Sequence, residues 1–262
     1  MVLLVLGVLH SCASTATTSA PTATAPAVVN TAIVPVPRDE KIMKRHQDFL
    51  EITKKGNIDV LFLGDSITDF FLRPAPQGKN VWDREYGAMA VANFGISADR
   101  TQHVLWRIAN GELDGISPKA LVLLIGTNNT GMEKDDVTKA RNSTQEALEG
   151  IKAVVAAIRN KLPATPIVLV SLFPREDGPQ GGPQSKQSMQ VRELNQAISG
   201  WHDGKTVHFL NMYPVLVDTQ GAMRRELFMP DLVHPNEQGY EAWVRELRPL
   251  LKQLTEKVGM GK

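Results

Sequence analysis

The chain has 262 residues, 42% hydrophobic and 22% charged, with 29 Lys and Arg against 28 Asp and Glu for a formal net charge of +1. That balance is ordinary for a globular protein and gives no electrostatic footprint for nucleic acid or an acidic lipid surface. No internal run approaches the roughly 18 unbroken apolar residues of a spanning helix, and no fixed-period repeat is present.

The first residues differ from the rest. Met1 to Leu9 reads MVLLVLGVL and is followed by a stretch rich in Ala, Thr, Ser and Pro through Pro37. An apolar core of this length before small residues reads as an export signal, so residues 1–16 are expected to be a signal peptide or lipoprotein leader. Residues 17–37 are expected to be a disordered linker, because so little apolar surface cannot offset chain entropy. The domain is then 38–262. The single cysteine, Cys12, closes the run LHSC. That run resembles the lipoprotein box, in which a Leu and small residues precede the Cys that receives lipid. An N-terminal lipid anchor is the one membrane contact expected, and the location is exported: periplasmic, extracellular or membrane-anchored. Without another cysteine, the domain can have no intrachain disulfide, Cys nucleophile or Cys-ligated zinc.

From Arg38 the pattern alternates. RDEKIMKRHQDFLEITKKG reads as a helix with Ile42, His46, Phe49, Leu50 and Ile52 near one face, and Gly56 can end it. IDVLFLG and AVANFG read as buried strands ending at Gly64 and Gly95. RTQHVLWRIANGEL is an amphipathic helix, and KALVLLIG is a third strand ending at Gly126. A long helix is expected from Asp135 and Asp136, whose charges suit its positive end, to Leu162. PIVLVSLF, SKQSMQVRELNQAISGW, VHFLNMY and NEQGYEAWVRELRPLLKQL continue as strand, helix, strand and helix. Strands that are apolar throughout, separated by helices, indicate a five-stranded parallel sheet covered on both faces, a three-layer α/β/α sandwich.

Such sheets place their sites at the carboxyl ends of the strands. The tips carry Gly64-Asp65-Ser66, Asn93-Phe94-Gly95, Gly126-Thr127-Asn128-Asn129, and a late loop with Asp231 and His234. These residues supply what acyl transfer needs. A serine hydroxyl becomes nucleophilic when a base takes its proton. His234 can be that base for Ser66, and Asp231 can hold its tautomer. The oxyanion needs donors, for which the backbone N–H of Ser66 and Gly95 and the side-chain amide of Asn128 are candidates.

These blocks, in this order, resemble the GDSL, or SGNH, hydrolases. The resemblance runs from about Lys41 to Leu254. It implies a flavodoxin-like fold, no metal or other cofactor, a triad of Ser66, His234 and Asp231, and oxyanion donors at Ser66, Gly95 and Asn128. The forms GDSIT, NFGISADRT and GTNN look most like the branch of platelet-activating-factor acetylhydrolase catalytic subunits and bacterial acetylesterases. The lipase elbow Gly-x-Ser-x-Gly is absent, which argues against the α/β-hydrolase fold. The expectation is an exported serine esterase removing short acyl groups, most simply acetyl, from small-molecule esters or O-acetylated carbohydrate. A lysophospholipase or thioesterase and a non-catalytic glycan-binding protein are the alternatives. No Gly-x-Gly-x-x-Gly follows the first strand, which discards a dinucleotide-binding oxidoreductase.

Several residues have two readings. Asp65 either bonds the backbone of its turn or meets substrate. Trp82 and Tyr86, in a stretch that reads as an irregular loop, either stack on substrate or pin the loop. Arg100 either binds an anionic group or makes a salt bridge at a helix start. The insert from Glu176 to Gln187 is expected to border the site. The other histidines read as surface or satisfied core residues.

Overall fold

The computed structural model describes residues 29–133, 141–177 and 181–257. The five strands are β1 (Val60–Gly64), β2 (Val91–Gly95), β3 (Ala120–Leu124), β4 (Ile167–Val170) and β5 (Val207–Leu210), in the order β2-β1-β3-β4-β5 with every pairing parallel. β1, β3 and β4 are buried along their whole length. That requires cover on both faces and explains their unbroken apolar sequences.

The helices are α1 (Glu40–Lys55), α2 (Ser66–Asp69), α3 (Lys79–Tyr86), α4 (Thr101–Ala109), α5 (Thr144–Lys161), α6 (Lys186–Ser199), α7 (Tyr213–Leu216) and α8 (Glu237–Lys257). Successive residues of β1 face opposite layers. Phe62 meets Trp82 and Tyr86 of α3 and Trp243 of α8. On the other face Phe94, paired with Leu63, stacks on Phe49 of α1 at 4.5 Å. The architecture is thus the three-layer sandwich expected from the sequence.

Four local readings change. Residues 79–86 form α3 rather than an irregular loop, and their aromatics turn inward: Trp82 is 8% exposed and Tyr86 6%. The helix expected from Asp135 begins at Thr144, capped by Ser143, whose hydroxyl accepts from the Glu146 N–H while the Glu146 carboxylate accepts from the Ser143 N–H. Asp135 and Asp136 lie outside the described residues. Ile52, expected on the inner face of α1, is among the exposed large hydrophobics. Finally, residues 29–37, expected in the linker, lie against the domain. Ala32 is fully buried, the Asn30 amide donates to Glu149 at 2.8 Å, and the Val36 N–H donates to the Gln102 carbonyl at 3.2 Å. The Ala, Thr and Pro composition hid an anchored stretch behind a linker-like run.

Candidate active site

The crevice in an open parallel sheet opens where strand order reverses, here between β1 and β3. Ser66 sits just beyond β1, as the first residue of α2. The turn is tight because Gly64 has no side chain: a Cβ there would lie 2.3 Å from Thr68 Oγ1 and 2.4 Å from the Leu124 carbonyl oxygen. Asp65 caps α2, its Oδ1 accepting the Ile67 N–H at 3.0 Å. Tyr240 of α8 pins the same helix by donating its hydroxyl to the Ile67 carbonyl at 2.7 Å.

The partners arrive from the far end of the chain. His234 Nε2 lies 2.8 Å from Ser66 Oγ, across 168 residues. His234 Nδ1 lies 2.7 Å from Asp231 Oδ2. Asp231 Oδ1 accepts the backbone N–H groups of Val233 and His234, each at 3.0 Å. Burial pushes the Asp231 carboxyl upward, but these donors and the imidazole outweigh it and hold the group below the usual carboxylate range. The loop that carries both residues turns at Leu232, with φ of 55°, and is tied down by Met229 N–H to the His234 carbonyl at 2.7 Å and Glu176 N–H to the Leu232 carbonyl at 3.0 Å. The insert after β4 therefore touches this loop through Glu176, as its expected position implied.

Sequence reasoning missed Phe70. Its ring lies on the His234 imidazole, centroids 4.3 Å apart and planes 29° from parallel, and the Arg73 guanidinium lies over the same ring, 3.5 Å from its centroid. Phe70 is four residues beyond Ser66, the helical spacing that could have flagged it.

The oxyanion candidates divide. Among the described residues nothing accepts from the Ser66 N–H. Asn128 follows β3, and its amide donates to the Asp99 carbonyl at 2.9 Å, which sets the β3 tip against the turn after β2 and leaves the second amide hydrogen without an acceptor among the described residues. Gly95 needs correction. Its N–H is given to Asn93 Oδ1 at 2.9 Å, and its carbonyl accepts from Arg45 at 3.2 Å. Its missing side chain serves packing, since a Cβ would lie 2.3 Å from the Asp69 nitrogen. Three residues on, Ala98 is exposed, holds φ of 64°, and has an N–H with no acceptor among the described residues. The turn that presents it is held from beneath by Asp99, which is fully buried and paired with Arg107 at 2.9 Å and Arg38 at 3.0 Å.

Of the three substrate-contact candidates, two are buried and the third is ion-paired. Asp65 is fully buried; its Oδ2 has no hydrogen-bond partner among the described residues, and burial pushes its carboxyl up to about 7. Trp82 belongs to the aromatic cluster around Phe62 and Phe71. Arg100 forms a two-pronged pair with Glu133 at 2.8 and 2.6 Å, so its charge is met from the loop after β3.

Strand order, layers and the position of the Ser66 turn define a hydrolase of the kind the motifs resemble. Residues 62–242 match the GDSL-like lipase/acylhydrolase family. The chain is 33% identical to platelet-activating factor acetylhydrolase IB subunit alpha1 of Bos taurus over 237 residues, 90% of this chain and 94% of that protein. A GDSL-like lipase from Bacteroides thetaiotaomicron superposes with a TM-score of 0.61 at 20% identity, covering 80% of this chain and 97% of the other. A carbohydrate esterase family 3 structure from Talaromyces cellulolyticus gives 0.55 at 17% identity over 76% and 99%. The chain belongs to the GDSL-like lipase/acylhydrolase family. It is a carboxylic ester hydrolase.

Proposed function

We propose that this chain is an exported serine esterase that removes short acyl groups, chiefly acetyl, through a covalent acyl-enzyme. The observation that carries the reading is the unbroken chain Ser66 Oγ–His234 Nε2–Asp231 at 2.8 and 2.7 Å. His234 takes the Ser66 proton as Oγ attacks the ester carbonyl, and Asp231 holds the ring with Nε2 free to accept. The oxyanion that forms is met by the N–H groups of Ser66 and Ala98 and by the Asn128 amide, with Ala98 in the place first given to Gly95. His234 then protonates the leaving alcohol, activates water, and the acyl group departs as the acid.

The acetyl preference draws on the name of the Bos taurus relative, and a carbohydrate-borne ester on the fold shared with the Talaromyces enzyme. Export draws on the sequence of residues 1–16 alone. The test is hydrolysis of p-nitrophenyl acetate through octanoate by the full chain, with Ser66→Ala beside it. The expected result is a rate that falls with chain length and a loss of roughly 10⁴-fold or more in the variant. A preference for octanoate moves the substrate to long-chain lipid or thioesters. Equal rates in folded wild type and variant remove Ser66 as nucleophile and favour the binding-protein reading.

A further inference from the structure

The oxyanion donors sit on loops, and loops need support from a rigid scaffold. The support under Asn128 comes from an unexpected place. Its neighbour Asn129 is fully buried and spends its whole side chain on hydrogen bonds. Oδ1 accepts the Thr101 N–H at 3.0 Å, and the two hydrogens of Nδ2 are shared among Thr101 Oγ1 at 3.1 Å, Gln102 Oε1 at 3.1 Å and Asn142 Oδ1 at 3.0 Å. The Asn142 N–H returns a bond to the Asn129 carbonyl at 3.1 Å. Asn129 thus clamps the tip of β3 to the first turn of α4 and to the segment entering α5.

Two of its partners are themselves held by the N-terminal stretch. Thr101 Oγ1 donates to the Ala32 carbonyl at 2.7 Å, and the Asn142 amide donates to Thr31 Oγ1 at 3.0 Å. The stretch is seated by shape as well. Ala32 is fully buried, and Gly150 of α5 makes room for it: a Cβ at Gly150 would lie 2.9 Å from the Ala32 Cβ and 2.4 Å from Thr101 Oγ1. At its two ends Asn30 bonds Glu149 at 2.8 Å and the Val36 N–H bonds the Gln102 carbonyl at 3.2 Å.

We propose that residues 29–36 are a positioning strap for the oxyanion site, acting through Thr101 and Asn142 on Asn129, and so on the placement of the Asn128 amide. The catalytic role of Asn128 rests on the esterase reading above; the mechanical link does not. No group of the strap contacts the substrate. Its part is to fix two elements, the start of α4 and the entry to α5, against the β3 tip. Small displacements of an oxyanion donor weaken transition-state binding more than substrate binding.

The test unseats the strap in the full chain with Ala32→Arg, whose side chain cannot enter the space Ala32 fills. Thr101→Val, which removes only the bridging hydroxyl, is the milder second variant, and Thr101→Ser restores it. Two readouts are taken: hydrogen exchange of peptides covering 30–36, 98–102 and 126–130, and kcat and KM on p-nitrophenyl acetate. The expected result is faster exchange at 126–130 whenever the strap is released, with kcat down about ten- to a hundredfold and KM nearly constant. Recovery in Thr101→Ser completes the case. Faster exchange confined to 30–36, with 126–130 protected and kcat unchanged, overturns the proposal and leaves the strap a stabilising cover. If the wild-type chain hydrolyses no ester, the esterase reading fails, and the exchange at 126–130 still decides whether the strap holds the β3 tip.

Discussion

Ser66 and Asp231 are held in opposite ways. Ser66 is 5% exposed and stands on a turn enforced by close packing, with no room for a Cβ at Gly64 or at Gly95. The Asp231 side chain is 48% exposed, on a loop held by hydrogen bonds between its own neighbours and one bond from Glu176. The nucleophile is fixed by sterics inside the sheet, the orienting acid by local backbone geometry at the surface. Substitutions on the two sides should therefore separate catalysis from stability.

The largest separation is expected at Asp231→Asn. An amide keeps the size of the side chain but presents the wrong partner to Nδ1. Ester hydrolysis should drop about 10²- to 10⁴-fold, while unfolding in urea shifts by less than about 1 kcal/mol, as befits an exposed position. A large loss of stability would show that this loop is no mere surface attachment. Gly95→Ala should do the reverse. Its Cβ would strike the backbone at Asp69, so α2 or β2 must move, at a cost of about 3 kcal/mol or more. Urea unfolding measures this directly, and a variant as stable as the wild type would refute the packing role assigned to Gly95.

The smallest effect is a pH dependence at Asp65. Burial raises its carboxyl to about 7 from an ordinary 3.8, so the folded state holds the proton more tightly than the unfolded chain. Stability from this group is present below about pH 4 and is lost as pH rises through about 7. Asp65→Asn removes that loss. Between pH 4.5 and 7.5 the variant should gain on the wild type, by about 3 kcal/mol at most. Parallel stability curves for the two proteins would show that Asp65 is ionised in the folded state throughout. Asp99, raised to about 6 by burial, also repels the Asp65 charge, so Asp65→Asn eases its ionisation as well and part of the gain comes through Asp99.

Much of this was legible along the chain. Strands β1, β3 and β4 announce themselves as apolar runs because both their faces are covered. Ser66, Asn128, Asp231 and His234 stand at strand tips or on the late loop, where parallel sheets put their sites. The misreadings share a cause. Trp82 and Tyr86 were ambiguous because an aromatic facing a core and one facing a ligand look alike in a Pro- and Gly-rich stretch. At Gly95 the sequence reads equally as a donor or a packing site, because glycine suits both close backbone approach and a free N–H; only the position of Asn93 Oδ1 distinguishes them. The strap escaped notice because its anchoring depends on one buried alanine and on hydrogen-bond partners more than 65 residues away.

By itself, then, the sequence determined the layered α/β architecture, the order of the strands' tips and the chemical types gathered there, since periodicity and side-chain chemistry are local properties. The tertiary structure alone decided that Ser66 meets His234, that Ala98 rather than Gly95 has an N–H to offer, that Phe70 lies on the imidazole, and that residues 29–36 belong to the domain. Each of these is a distance between segments far apart in the chain or a choice among hydrogen-bond partners, and both are set by how the layers pack.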